Sequence, residues 1–358
     1  MNYNKILIIY NPWKKYEGSL LEMITSAIDT TSFEYDFIDF YTEQKYSYTS
    51  WKDKGINIYQ RLFNKNTQYY LTLENKYFNK IFRSKILDFK KKNIEHYDYV
   101  LIIKPEDYSP QNIKELSQLG EKTVGYIWDG LRIFFKSNID QSRSYLDELY
   151  SFDTNNINDY PELKMQFCTN FYTPIDNIIS YKERHIDLFF VGDLAGTLDR
   201  QRRDKKLVKF LKEINGELDI NIWINPSINI DKIDDKKIKY TSKHIPMSFA
   251  FEKTRNSKAV IDICKAHHIG LSFRFFECLA TETKIITNNK DVINYDFYNP
   301  KNILIVDFDK DILTTKLFYD FLNEPFSKLS QEIIEKYTIE NWLKYMFKIE
   351  GHKKIEKL

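Results

Sequence analysis

Cysteine is scarce. Cys168, Cys264 and Cys278 are spread through 358 residues with no CxxC pair and no companion histidine pattern, so neither a disulfide framework nor a zinc site is supported, and a reducing, cytoplasmic setting is expected. Long apolar runs are missing too. The opening MNYNKILIIYNPW holds a short strand-like segment without a small-residue cleavage site, and no run approaches 18 apolar residues, which leaves no signal peptide or transmembrane span to expect. Neither sign of charge dominates: 53 Lys and Arg face 51 Asp and Glu, a net +2. That balance argues against a nucleic-acid partner or a bulk polyanion, so any anion is bound locally. Glycine is limited to 10 residues, and the position of each one carries information. Aromatics, by contrast, are plentiful at 16%, with 26 Tyr and 26 Phe; we read them as compositional bias in preference to a carbohydrate-stacking surface.

Short apolar runs alternate with longer mixed segments, the pattern of strands and helices around mostly parallel sheets. Strands are expected at 5–10, 35–40, 99–104, 123–128 and 148–152, and again at 186–192, 220–225, 238–242, 259–264, 284–288 and 303–307. Crossover helices fit 17–28, 110–119 and 139–148, then 199–214, 247–256, 272–281 and 311–322, with a helical excursion over about 55–92 inside the Tyr-, Lys- and Asn-rich stretch 43–98. The chain should close with a helix over 329–350. The rhythm restarts after 171–186, where a proline and polar residues separate two strand-rich halves. The expected fold class is therefore α/β, with two Rossmann-like, doubly wound domains facing across a cleft. The first domain is placed at 1–175, a second at 176–330, and the closing helix at 331–358.

The most informative stretch is 262–289, DICKAHHIGLSFRFFECLATETKIITNN. It follows a buried-strand candidate, so its first residues lie at a strand's carboxyl end, the binding edge of such sheets. A helix over 272–281 would put Phe275, Phe276, Leu279 and Ala280 on one side and Arg274, Glu277 and Thr281 on the other. Gly270 allows a positive φ or a close backbone approach, and the N–H groups that open the helix after Leu271 suit phosphate oxygens. Ser272 is placed to cap the helix or donate to the same anion. Arg274 offers a fork of donors for a diphosphate, and Glu277 offers only acceptors, which match two vicinal ribose hydroxyls. The same residues also fit an ordinary amphipathic helix whose Arg274 and Glu277 form an i,i+3 surface pair.

The pattern D-I-x(5–6)-G-L-S-x-R-x-x-E-x-L-A, followed by KIITN and YDFYNPKNILIVD, resembles the donor domain of GT-B-fold glycosyltransferases, in particular bacterial lipopolysaccharide, exopolysaccharide and spore-maturation-like proteins. IDLFFVGDLAGTLDRQRRDKKLVKFL and SFDTNNINDYPELKMQFCTNFY extend the likeness to roughly 120–350. It implies that Glu277 binds the nucleotide ribose and that the backbone after Gly270 meets the diphosphate. Gly192 and Gly196 lie in the first strand-to-helix turn of the second half, which in similar proteins faces the cleft, and Arg200 or Arg203 beyond it would reach a donor phosphate, with a solvated basic helix start as the alternative. His244, past a strand, would lie near the base, with a satisfied surface histidine as the alternative. His267 and His268 precede the phosphate loop, where His268 is a candidate contact and a structural role is the alternative.

Asp129, at the end of a first-half strand, is the candidate general base for an inverting transfer, with an Asx-turn role as the alternative; Asp153 and Asp159 read as helix-capping residues. GDLAG is not a dinucleotide fingerprint. No cofactor is expected beyond the nucleotide-diphosphate sugar itself, and no metal is required. The resemblance implies glycosyl transfer to a glycan or lipid-linked glycan in surface-polysaccharide synthesis. A non-hydrolysing sugar-nucleotide epimerase and an inactive nucleotide-sugar-binding scaffold are the rivals. Peripheral contact with the inner membrane face stays open, since 43–98 is basic and aromatic.

Overall fold

The computed structural model describes residues 4–10, 20–64, 68–93, 96–128, 130–131, 136–194, 211, 214, 216–224, 236–243, 245–264, 269–307 and 315–358. The chain divides into two units. The first comprises the described residues within Met1–Phe152, Asn156–Phe167 and Met346–Ile349; the second comprises those within Asp153–Asn155, Cys168–Tyr345 and Glu350–Leu358.

The first unit is built on a six-stranded parallel sheet formed by β1 (Lys5–Ile9), β2 (Glu34–Phe37), β3 (Tyr97–Ile103), β4 (Gly120–Ile127), β5 (Glu148–Ser151) and β6 (Gln166–Phe167), in the order β2-β1-β3-β4-β5-β6. Helices cover both faces of such a sheet, so its central strands read as unbroken apolar runs. Ile6–Ile9 and Val100–Ile103 are all fully buried. The described helices of this unit are α1 (Leu20–Ile28), α2 (Trp51–Phe63), α3 (Tyr69–Lys92), α4 (Pro110–Ser117) and α5 (Lys136–Ser142). Ser50 starts α2 by accepting from the Asp53 amide at 3.1 Å, the N-cap bond that satisfies an otherwise orphaned donor. Polar side chains fasten α3 to the loop after β3. Asn79 donates to the Asp107 carbonyl at 2.9 Å and accepts from the Ser109 amide at 2.6 Å, and Asn112 of α4 donates to Asn79 Oδ1 at 2.9 Å.

The second sheet holds β7 (Ile186–Leu194), β8 (Leu218–Ile224), β9 (Ile238–Thr241), β10 (Ser257–Asp262), β11 (Lys284–Thr287) and β12 (Ile303–Ile305), also all parallel, in the order β12-β11-β10-β7-β8-β9. Numbered within the unit this is 3-2-1-4-5-6 read from its other edge, the doubly wound order of dinucleotide-binding domains, which reverses between its first and fourth strands. Here those strands are β7 and β10. The helices that follow α6 (Thr154–Asp159) in the chain are α7 (Met247–Arg255), α8 (Phe273–Thr281), α9 (Thr315–Asn323), α10 (Gln331–Lys336) and α11 (Ile339–Phe347). The core of this unit joins Leu188, Phe190, Ile220, Ile222, Ile261 and Ile286 of the sheet to Phe318 and Leu322 of α9.

Every expected strand is present within a few residues. The two-residue β6 was not expected, because a run that short leaves no periodicity to read. The helix expected over 139–148 ends at Ser142 and continues as a single tighter turn, Arg143–Tyr145, before β5. Most of the helix expected at 199–214 lies outside the described residues. The closing helix over 329–350 is in fact two. Between α10 and α11 the backbone extends and pairs with Tyr172, whose amide donates to the Tyr337 carbonyl and whose carbonyl accepts from the Ile339 amide, each at 2.9 Å. Thr338 then restarts the helix as an N-cap, accepting from the Asn341 amide at 3.3 Å. Phe347, the last residue of α11 and part of the first unit, stacks on Tyr99 of the same unit with ring centroids 4.1 Å apart.

One buried guanidinium ties the amino ends of the second sheet together. Arg184 is 3% exposed and donates to the carbonyls of Ile179, Ser257, Thr281 and Glu282 and to the Thr283 hydroxyl. These acceptors flank the starts of β7, β10 and β11. Removing the donors leaves the carbonyls buried without partners, so Arg184→Ala should destabilise the chain by about 3 kcal/mol or more, and Arg184→Lys, with fewer donors and no fork, should restore little of it. Urea-unfolding midpoints of the three proteins check this; equal midpoints for wild type and Ala variant would refute it.

Candidate functional site

Ligands of a doubly wound sheet sit outside the carboxyl ends of its strands, where the strand order reverses. In the second unit that crevice is at the ends of β7 and β10, and Asp262 is the last residue of β10. Asp262 is 3% exposed. Its Oδ1 accepts from the Ser272 hydroxyl at 2.6 Å, its Oδ2 accepts from the Thr287 hydroxyl at 3.1 Å, and the Arg274 guanidinium lies 3.5 Å away. One carboxylate thereby gathers the end of β10, the end of β11 and the start of α8.

Arg274 spans the reversal itself. Its Nη1 donates to the Ile261 carbonyl of β10 at 3.1 Å and its Nη2 to the Val191 carbonyl of β7 at 2.7 Å, with the guanidinium over the Phe190 ring. The fork expected to grip a diphosphate is therefore turned into the sheet, because parallel strand ends leave carbonyls that need donors. What Arg274 contributes outward is positive charge. The i,i+3 surface pair is not formed either, since the ion-pair partner of Arg274 is Asp262.

The connection from β10 to α8 is held by asparagines. Asn288 accepts from the Cys264 amide at 2.7 Å, Asn289 donates to the Ile269 carbonyl at 3.2 Å, and Asn170 donates to the Leu271 carbonyl at 3.1 Å. Leu271 is fully buried. Gly270 is buried and does not adopt a positive φ, so of the two reasons for a glycine there only close approach remains. Ser272 occupies the N-cap position of α8 with extended backbone, but its side chain makes no capping bond because its hydroxyl is given to Asp262. The Ser272 side chain therefore supplies no acceptor to the opening turn of α8, where the Phe275 amide donates to the Ser272 carbonyl at 3.1 Å, and helix geometry gives that end partial positive charge.

Along α8, Phe275, Phe276 and Ala280 are buried as the periodicity requires. Thr281 departs from the expected polar face: it is buried, donates to the Glu277 carbonyl at 2.8 Å and contacts the Thr283 hydroxyl. Gly192 lies near the carboxyl end of β7, paired with Ile222 of β8. Asp153 accepts from the Asn155 amide at 3.0 Å as a turn residue ahead of α6, and Asp159 is exposed at that helix's end. Asp129, Gly196, Arg200, Arg203, His244, His267 and His268 lie outside the described residues. Reading the sequence alone passed over Asp262, Asn170, Asn288 and Asn289. Three of these follow directly from the rule that strand carboxyl ends build the site, since Asp262, Asn288 and Asn289 end or follow β10 and β11. Asn170 carries no comparable signal.

Glu277, one turn into α8 on the side of Arg274, is half-buried, and no described side chain donates to its carboxyl. Burial pushes that carboxyl up from 4.5 to about 7, with the Arg274 charge opposing the rise. A carboxyl raised in the folded state binds extra protons there between the two values, so stability falls as pH rises through that window and the full cost stands above it. Glu277→Gln should thus match the wild type near pH 4 and exceed its stability by up to about 3 kcal/mol near pH 8. Urea midpoints of both proteins at the two pH values measure this; a pH-independent difference would contradict it.

No protein-family model matches the chain, and no curated protein matches it in sequence. Solved structures do. An alpha-glucosyltransferase in complex with UDP-glucose and DNA containing an abasic site is 12% identical, with 98% of this chain and 95% of that one covered and a TM-score of 0.53. The N-terminal domain of trehalose-6-phosphate phosphatase from Candida albicans is 7% identical, over 97% and 93%, with a TM-score of 0.56. The UDP-GlcNAc 2-epimerase of Methanocaldococcus jannaschii, in complex with UDP-GlcNAc and UDP, is 16% identical over 90% and 96%, with a TM-score of 0.45. At these identities the likeness is one of fold: the chain is an α/β protein of two Rossmann-like units with the GT-B architecture.

Proposed function

We propose that the chain is a glycosyltransferase whose second unit binds a nucleotide-diphosphate sugar at the start of α8. The observation that carries this reading is the Glu277 carboxyl, half-buried and without a donor at the reversal of the sheet, beside a helix start that has no side-chain cap. Two vicinal ribose hydroxyls supply the donors that Glu277 lacks. The opening amides of α8 and the charge of Arg274 face the diphosphate and stabilise it as it departs. Gly270 and Leu271, held by Asn289 and Asn170, let the phosphates approach the backbone, with Gly192 on the neighbouring strand end.

In this reading Arg200 or Arg203 and His268 add phosphate contacts, and His244 lies by the base. The first unit binds the acceptor, a glycan or lipid-linked glycan of bacterial surface-polysaccharide assembly, in the cytoplasm. Asp129 takes the proton from the acceptor hydroxyl as its oxygen bonds to the anomeric carbon and the bond from that carbon to the diphosphate oxygen breaks.

A nucleotide that binds should raise the thermal midpoint by mass action, so a thermal-shift screen of UDP, GDP, CMP and TDP sugars is the first test. With the best of these, Glu277→Ala should weaken binding by about 1–3 kcal/mol. In the wild type, affinity should rise as pH passes through 7, because only the ionised carboxyl accepts from both hydroxyls, whereas Glu277→Gln should show no such dependence. Stabilisation by no nucleotide, or unchanged affinity in Glu277→Ala, rejects the site. Asp129→Asn should abolish turnover while donor affinity is retained; full activity removes Asp129 as the base. Conversion of the donor sugar with no acceptor present identifies an epimerase instead.

A further inference from the structure

Helix α2 wears its amphipathy inside out. Asn57 is its one buried residue, turned inward to donate to the Tyr48 hydroxyl at 2.7 Å. Five apolar side chains point away, with Ile56 partly buried: Trp51 is 86% exposed, Leu62 69%, Phe63 71%, Tyr59 55% and Ile58 50%. Trp51, Gly55, Ile58 and Leu62 recur at helical spacing, and with Tyr59 and Phe63 they occupy a sector of about 140° on the side opposite Asn57. Exposed side chains forming one contiguous apolar stripe on a single helix mark an interaction surface, unlike the same residues scattered singly.

Charge identifies the occupant. Lys54 and Arg61 line one margin of the sector and Lys52 lies near the other; all three are exposed, and none pairs with an acid among the described residues. Lys54 sits over the Trp51 ring at 5.1 Å. Across α2 and α3 together, ten Lys and Arg stand against three Asp and Glu, a net +7 in a chain whose total is +2. A second copy of so basic a hairpin would be repelled, and a nucleic acid has no use for exposed Ile58 and Leu62. An anionic lipid surface takes both, apolar side chains below the headgroups and ammonium and guanidinium groups among them. No described helix is long and apolar enough to cross a membrane, so the contact is one of lying on the bilayer.

We propose that α2 is a membrane-surface anchor, lying in the interface of an anionic bilayer with Trp51, Ile58 and Leu62 inserted and Lys52, Lys54 and Arg61 on the headgroups. This is independent of the nucleotide site. The full chain should co-float with vesicles of phosphatidylcholine and phosphatidylglycerol, bind phosphatidylcholine alone far more weakly, and be released by salt. Ile58→Ser/Leu62→Ser and, separately, Lys52→Ser/Lys54→Ser/Arg61→Ser should each lower partitioning at least about tenfold with unchanged unfolding midpoints. Vesicles should blue-shift tryptophan emission in the wild type and not in Trp51→Phe. Absence of vesicle binding overturns the proposal, as does binding untouched by both sets of substitutions. Self-association that is lost in Ile58→Ser/Leu62→Ser, without vesicle binding, assigns the face to a second copy instead.

Discussion

A carboxylate placed where Asp262 is, 3% exposed at the end of a central strand, costs several kcal/mol unless charge and hydrogen bonds compensate it. The second unit is arranged to supply them. Ser272 and Arg274 come from the start of α8 and Thr287 from β11, so satisfying one side chain fixes the register of α8 against β10 and β11. Arg274 carries the constraint across to β7 through the Val191 carbonyl. Groups that a ligand would otherwise use are thereby consumed: the hydroxyl of Ser272 and the fork of Arg274 serve the protein. What remains is the partial positive charge at the start of α8 and the carboxyl of Glu277, to which no described side chain donates.

The two ends of β10 use the same chemical solution for different purposes. At the amino end, Arg184 is satisfied almost entirely by neutral carbonyls, and burial pulls its guanidinium below the usual range. At the carboxyl end, Arg274 also bonds strand carbonyls, yet keeps Asp262 beside it and stays partly accessible. A planar cation with five donors can bridge the carbonyls of two parallel strands in a way an ammonium cannot. In one place that bridge stabilises the sheet, and in the other it additionally sets the sign of the field over the binding edge.

Strand positions were legible because a parallel sheet buried on both faces leaves runs such as KILII and YVLII with no other use. The carboxyl end of β10, where Asp262 stands, was legible for the same reason. Strand order was not, since it is decided by crossover connections, and with it went the direction of Arg274: only the adjacency of β7 and β10 puts the Val191 carbonyl within its reach. The break at Tyr337 was hidden because apolar spacing runs straight through it. The pairing that opens the helix lies with Tyr172, far away in the chain, although Thr338 followed by Ile339 and Asn341 carries the local mark of a fresh helix start.

The abundance of tyrosine and asparagine has a consequence for the first unit. The inner side of the α2–α3 hairpin is packed with them: Tyr46 meets Tyr48, Tyr70 and Tyr77 at centroid distances of 6.1, 5.4 and 5.5 Å, while Asn57 and Asn79 fill the polar positions. An aromatic with a hydroxyl can bury its ring and still reach a partner, so tyrosine and asparagine can carry much of this layer's packing. Ile58 and Leu62 of α2 are then left for the outside, while Ile56 is partly buried. In an ordinary surface helix such residues would be drawn inward by the gain from burying apolar area; here the inward positions are already taken by groups whose hydrogen bonds would be broken by the exchange. Compositional bias and an outward apolar face are therefore compatible. The bias supplies an interior that holds without Ile58 and Leu62, and that interior keeps them on the surface.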